Sequence, residues 1–418
     1  MLETVRNALK IGELRQRILF TVLMLVVFRV GAHVPIPGIN PEVLADFFQG
    51  NTIFGFLDVM GGGALSKFTV FAMGIMPYIN ASIIVQLLTV VIPKFKEWSE
   101  EGVEGRKKMM QVIRYGTVGL GLLQATGMTF SLMQPAVTDP STSSYLVIII
   151  SLTAGTAFLM WLGELITEKG IGNGISLIIF GGIVAGFPGQ VLSIAELIRL
   201  GEARFFMLIP ILIVLLGLIV GIIALDVGRR RIPVQYAKRV VGRRMYGGQS
   251  THIPLKVNQA GVIPVIFASA ILMFPATIVM FINHPIAKGI ADALNWGTLL
   301  NTTLYALFII LFTFFYTAIQ FDPMKVAGDI KKYGGFIPGL RPGRPTAEYL
   351  SKVSSRLTLV GALSLAFICV LPILLQNVSN LNLIFGGTSL IIIVGVALET
   401  MRQIESQMLM RNYQGFMK

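Results

Sequence analysis

Long apolar stretches recur along this chain, each closed by a short polar or Gly/Pro-rich break. Ten of them fall at roughly 18–35, 70–92, 113–134, 145–166, 174–195, 205–226, 260–282, 300–320, 354–375 and 383–403. A helix rising 1.5 Å per residue crosses a bilayer core in about 20 apolar residues. The pattern predicts ten membrane-spanning helices in a single all-α membrane domain. Breaks such as Pro35/Pro37/Gly38, Gly170 to Gly174 and Pro338 to Pro345 punctuate the stretches. Residues 1–17 are charged and amphipathic. The first apolar stretch runs into Pro35-Ile36-Pro37 without a small-residue cleavage site, so it is expected to be a retained span.

Charge fixes the expected orientation. With the N-terminus inside, 29 of the 34 Lys and Arg fall in inner segments, chiefly the 2/3, 6/7 and 8/9 connections. The outer segments hold Lys67, Arg199, Arg204 and Lys288, and Arg29 lies within the first span. That bias predicts both ends in the cytoplasm. It also makes the net charge of +13 a topological signature. Ten spans divide into two halves of five (18–195 and 205–403), and an odd number per half gives them opposite orientations. Inverted halves place a pathway between them at the midplane. The sequence carries no clear internal repeat.

Composition agrees: 54% of residues are hydrophobic and 13% charged, with a mean hydropathy of +0.75. Soluble domains carry about 25% charge. One outer segment stands apart. The residues between spans one and two, including 54–57 and Gly61-Gly62-Gly63-Ala64-Leu65-Ser66-Lys67, are too apolar for a solvated loop and too few to span twice. Composition leaves two readings, a re-entrant piece buried in protein or an amphipathic piece on the surface.

Catalytic chemistry finds little support. Cys369 is the single cysteine, and His33, His252 and His284 are far apart, so neither a disulfide nor a metal site is expected. Gly61 to Phe68 fails as a phosphate loop, because Ser66 stands where Gly is needed and Phe68 where Ser or Thr is needed. Gly170-Ile171-Gly172-Asn173-Gly174 fails as a dinucleotide fingerprint, because Ile175 takes the last glycine position. No cofactor and no enzyme activity are expected. Ionisable residues inside spans mark ion paths. Here Arg29 lies close enough to the outer border to snorkel, and Glu164 and Asp226 lie near inner borders. Any work must come from a partner or the membrane potential. The basic loops 227–259 and 321–353 offer docking surfaces; positive-inside bias with headgroup contact explains their charge equally well. Gly247-Gly248 marks a candidate hairpin turn in the first of them.

Several strings together resemble the bacterial branch of the SecY family. They are Gly74-Ile75-Met76-Pro77-Tyr78-Ile79, Glu168-Lys169-Gly170-Ile171-Gly172-Asn173-Gly174-Ile175-Ser176, Gln249-Ser250-Thr251-His252-Ile253-Pro254, the loop from Lys331 to Thr346, and Gly386-Gly387-Thr388-Ser389. They occur in family order from about residue 10 onward. The resemblance implies a clamshell of spans 1–5 and 6–10 that opens sideways between spans 2 and 7. It implies a plug within about 51–68, including Phe54, Leu57, Gly62 and Leu65. It implies an apolar pore ring of Ile75, Ile79, Ile179, Ile183, Ile266 and Ile392. Two of those sets are i,i+4 pairs and share a helix face. An apolar waist gates by dewetting and offers a passing chain no hydrogen bond.

The resemblance also implies a polar latch at the sideways opening (Gln86, Gln124, Asn258) and docking of the motor ATPase SecA or the ribosome at Arg243, Arg244 and Arg341. Partner subunits SecE and SecG, signal peptides, unfolded or nascent polypeptides and membrane lipid complete the implied partners, in the bacterial plasma membrane. Gly217 and Gly221 form a GxxxG whose partner is an internal span or SecE. Two other functions stay open on the residues alone: a small-solute transporter, disfavoured by the scarcity of mid-span charge, and an insertase component without a pore.

Overall fold

The computed structural model describes residues 6, 8–40, 58, 61–131, 136–137, 139–199, 205–236, 239–241, 244–246, 250–279, 289, 293–294, 297–379 and 386–415. A helix occupies each predicted apolar stretch. In chain order they are α1 (Gly12–Gly31), α2 (Met76–Val91), the short α3 (Pro93–Glu100), α4 (Val103–Ser131), α5 (Thr142–Lys169), α6 (Gly174–Arg199) and α7 (Phe205–Val227). The later ones are α8 (Ile263–Val279), α9 (Leu299–Gln320), the short α10 (Pro323–Lys332), α11 (Arg344–Ser379) and α12 (Gly387–Gly415).

Local chemistry sets the ends. The hydroxyls of Ser141 and Thr298 accept from the backbone N–H groups of Ser144 and Asn301 and start α5 and α9. Asp322 accepts from Met324 N and Lys325 N at the head of α10, with Pro323 in its first turn. Pro93 lacks an N–H and pushes Ile92 into extended backbone (φ −106°, ψ 117°). The chain turns by 102° there, and α2 leads into the exposed α3.

Five of these helices are long and apolar enough to cross a membrane, or up to six if the bent pair α2/α3 counts as one span. Three Arg residues within 14–31 keep α1 below that standard. Gly, Thr and Gln lower the hydropathy of α4. The apolar parts of α6 and α8 (174–189 and 263–273) are shorter.

The helices pack as two groups. Within the first, α1 packs on α5 and α6, α2 on α4, α4 on α5 and α5 on α6. Within the second, α7 packs on α11 and α12, α8 on α9, α9 on α11 and α11 on α12. The groups meet where α6 packs on α12 and where α2 touches α8. One large apolar cluster runs through these meeting points.

The expectation of an all-α chain needs correction in the connections. Strands β1 (Arg229–Tyr236), β4 (Ser250–Lys256) and β5 (Gly335–Phe336) form an antiparallel sheet in the order β4-β1-β5, while β2 (Arg239–Val241) pairs with β3 (Arg244–Tyr246). The register sets Arg229 opposite Lys256 and Gln235 opposite Ser250. Alternation along β1 turns Ile232 and Val234 onto Leu255, Ile330, Ile337 and Leu350, and the arginines to solvent. The 6/7 and 8/9 loops are thus one small folded layer. Gly247-Gly248 lies outside the described residues.

Candidate functional site

The six isoleucines come from four helices, and all lie in or against one large apolar cluster. Ile75 stands at the N-terminus of α2 and Ile79 one turn on, with Ile79 N donating to Ile75 O at 3.1 Å. Pro77 sets the first turn. Ile179 and Ile183 share a face of α6. Ile75, Ile79, Ile179, Ile183 and Ile392 are buried members of the large central cluster, and Ile266 packs against it. Ile183 is fully covered at 0% exposure. The four helices that carry them, α2, α6, α8 and α12, are the same four through which the two groups meet.

The segment 61–75 is built of turns and lies against this cluster. Gly62, Gly63 and Gly74 take φ of +71°, +81° and +57°, which only glycine adopts freely. Val70 N donates to Val34 O and Ile36 N to Phe68 O, both at 3.0 Å, which bind the segment to the chain leaving α1. Phe71 stacks between Phe28 of α1 and Phe158 of α5, with centroids 6.2 and 5.8 Å away. Ala64 and Phe71 belong to the same cluster as the isoleucines. Leu65 is buried in a neighbouring cluster with Ile36, Phe68 and Met73. Of the four plug residues expected, Gly62 and Leu65 are placed in this way. Phe54 and Leu57 lie outside the described residues.

Arg29 finds a partner in the outer segment: its guanidinium donates to the carbonyl of Gly62 at 2.6 Å. Glu164 and Asp226 hold partners of their own. Arg114 Nη2 stands 2.7 Å from Glu164 and joins α4 to α5, and Arg402 Nη2 stands 2.6 Å from Asp226 and joins α12 to α7. Both carboxylates serve as helix-to-helix ion pairs.

The three expected latch residues do not bond one another. Gln86 on α2 accepts from the phenol of Tyr316 on α9, and its Nε2 donates to Ser82 Oγ at 3.3 Å. Asn258 instead closes the turn into α8: its Oδ1 accepts from Gly261 N at 3.0 Å and its Nδ2 donates to Gly261 O at 3.1 Å. Gln124 is half-buried on α4. Tyr316, missed from the sequence, bridges the two groups beside the α2/α8 contact, its ring edge-on to Phe267 of α8 at 4.9 Å. A phenol deep in an apolar stretch that needs a hydrogen-bond partner was the available signal.

The glycine motif before α6 is a structural turn. Ile171 N donates to Thr21 Oγ1 at 3.0 Å, Gly172 N to Gln403 Oε1 at 2.9 Å and Gly174 N to Thr167 Oγ1 at 2.9 Å. Its amides therefore face side chains of α1, α12 and α5. Arg341 is exposed in the turn before α11, where its carbonyl accepts from Thr346 Oγ1 at 2.8 Å. Arg244 lies on β3, and Arg243 is outside the described residues. Gly217 and Gly221 line an apolar groove of about 590 Å³ between α7 and α11. A methyl group on Gly217 would meet no atom within 4 Å, and one on Gly221 would meet only Ile368. Among the described residues, then, no internal span packs closely on the GxxxG. Nor, among those residues, could any group of three His, Cys, Asp or Glu hold a metal ion.

Comparison with known proteins fits this geometry. The family model SecY matches residues 69–401. The "Protein translocase subunit SecY" of Halalkalibacterium halodurans is 50% identical over 431 residues, covering 100% of both chains. Among solved structures, one described as "The plug domain of the SecY protein stablizes the closed state of the translocation channel and maintains a membrane seal" covers 94% of this chain and 92% of its own, with a TM-score of 0.66 at 19% identity. Sec61 in the canine ribosome-channel complex from the endoplasmic reticulum covers 94% and 92%, with a TM-score of 0.59 at 16% identity. At half identity over its whole length to a curated relative, and with most of its residues matched by the family model, this chain belongs to the SecY family.

Proposed function

We propose that this chain is the pore subunit of the bacterial protein-export translocon, a passive channel for unfolded secretory chains that also releases membrane segments sideways into lipid. The observation that supports the reading is that Ile75, Ile79, Ile179, Ile183, Ile266 and Ile392 lie in or against one apolar cluster and come from the four helices at which the two groups meet. An uncharged waist there seals against ions when idle, because it gives them nothing to replace their water. It grips no passing sequence for the same reason.

Ten spans form two inverted halves, 18–195 and 205–403, with both ends, including the tail 404–418, in the cytoplasm of a bacterial plasma membrane. The segment about 51–68 is the plug. The sideways opening lies between α2 and α8, where the Gln86–Tyr316 hydrogen bond supports Gln86 as part of a latch; interhelical bonds in membranes contribute roughly 0.6 kcal/mol. A signal peptide, which gains by moving its apolar stretch into lipid, overcomes a bias of that size. Exposed Arg341, with Arg243 and Arg244, receives SecA or the ribosome, suited by the forked guanidinium. SecE and SecG are the partner subunits.

Reconstituted vesicles test the reading. This chain with SecE and SecA is expected to give ATP-dependent uptake of an unfolded secretory protein. Accumulation of a small solute without protein uptake would establish a transporter instead.

A further inference from the structure

A cation inside an apolar span is costly unless it reaches water or strong acceptors. Arg29 lies half-buried on α1 and turns towards the segment 61–68. Its 2.6 Å bond to Gly62 O has the length of a charge-assisted hydrogen bond. His33 follows four residues on, in the turn just past the end of α1. Nδ1 of His33 lies 2.9 Å from Arg29 O, and Nε2 lies 3.2 Å from Lys67 Nζ. With the proton on Nδ1, that nitrogen donates to the carbonyl and Nε2 accepts from the ammonium. The stretch from Gly62 to Lys67 is therefore tied at one end to α1 and at the other to the turn that follows it.

The tie sits at a sensitive point. Gly62 has a φ of +71°, and a Cβ there would come within 3.1 Å of Gly182 Cα, the neighbour of Ile183 on α6. Gly62 thus comes close to a helix of the constriction. Asp58 shapes the piece that is held: its carboxylate accepts from Leu65 N at 2.9 Å and Ser66 N at 2.8 Å, and its carbonyl accepts from Gly63 N at 2.8 Å. The segment is a small preformed unit, and its bond to Arg29 can break without unravelling it.

We propose that Arg29 is the anchor of the plug, a positioning residue whose guanidinium holds the Gly62 carbonyl against α6 and keeps the idle channel shut. The inference rests on the plug reading given above. Release costs little when a chain enters, because water that enters with it solvates both the freed carbonyl and the guanidinium. The charge makes the closed state firm in a dry channel and weak in a wet one.

Planar-bilayer recording of the full chain with SecE and SecG, without SecA, tests this. Arg29→Gln is expected to raise idle ion leak about tenfold, the order of one hydrogen bond to a charged group. Modification of Ser66→Cys by a membrane-impermeant thiol reagent from the outer face should accelerate in parallel. Arg29→Lys keeps a charged donor and is expected to leak less than Arg29→Gln; equal leak in the two would reduce Arg29 to a packing residue. Gly62→Ala, which displaces the carbonyl and leaves Arg29 in place, should leak as Arg29→Gln does. Unchanged leak and labelling in Arg29→Gln would overturn the anchor. A channel lacking 61–66 separates the two ideas. If that deletion leaks while Arg29→Gln does not, only the anchor fails; if the deletion also stays sealed, the plug reading fails with it.

Discussion

A buried isoleucine in a membrane protein has no lipid-facing reason to be covered, since lipid and protein interior are equally apolar. What Ile79 and Ile183 share is their company: both belong to the apolar cluster that includes residues of all four helices at which the two groups meet. Removing buried aliphatic side chains costs roughly 2–5 kcal/mol each through lost contacts and the space left behind. At a waist the space admits water. Ile79→Gly with Ile183→Gly is therefore expected to raise idle ion leak by at least about tenfold, since 1.4 kcal/mol is a factor of ten. Single-channel recording checks it, and an unchanged leak would remove both residues from the ring. The i,i+4 spacing of these pairs was legible in the sequence. Their sharing of one cluster with Ile266 and Ile392 was not, because nothing local relates positions so far apart. Asn258 shows the opposite failure. It was expected in a latch with Gln86 and Gln124 at the sideways opening, yet a carbonyl and an amide three residues on bond its side chain.

At the scale of elements, the long helices were legible because hydropathy is a property of every residue in them. The strands were hidden for a physical reason: β1 is half arginine and proline, and its order comes from pairing with strands far along the chain. Pro233, without an N–H, is tolerated in the middle strand because β5 pairs only beyond it, at Gln235 and Tyr236. This layer gives the basic loops a fixed shape. Arg341 follows β5 in a turn held by Gly339 and Gly343 at φ of +83° and +103°, so its side chain projects from a rigid base. A rigid, exposed guanidinium suits a docking contact better than it suits loose headgroup attraction. Arg341→Glu is expected to reduce SecA-driven translocation by roughly tenfold or more. Accumulation of the chain in the membrane should stay normal, because the side chain is exposed and takes no part in the core. Unimpaired translocation by that variant would take Arg341 off the docking surface.

For the whole molecule, two junctions between the helix groups among the described residues differ in extent, and that difference predicts how the channel moves. The α6/α12 junction is the more extensive one, and a polar tie reinforces it: Gly172 N reaches Gln403. The α2/α8 junction is slighter, and beside it the Gln86–Tyr316 bond joins the two groups. A shell with one strong and one weak junction opens at the weak one and hinges at the strong one. Cysteines at Gln86 and Tyr316, joined by a short cleavable bifunctional thiol reagent, are expected to abolish translocation, with recovery on cleavage. Cysteines at Leu177 of α6 and Thr400 of α12, which both lie against Gly172, are expected to leave it largely intact when joined in the same way. Protein uptake into vesicles reads both. Equal loss from the two cross-links would mean that the halves separate as rigid bodies along their whole contact, and the hinge would have to be abandoned.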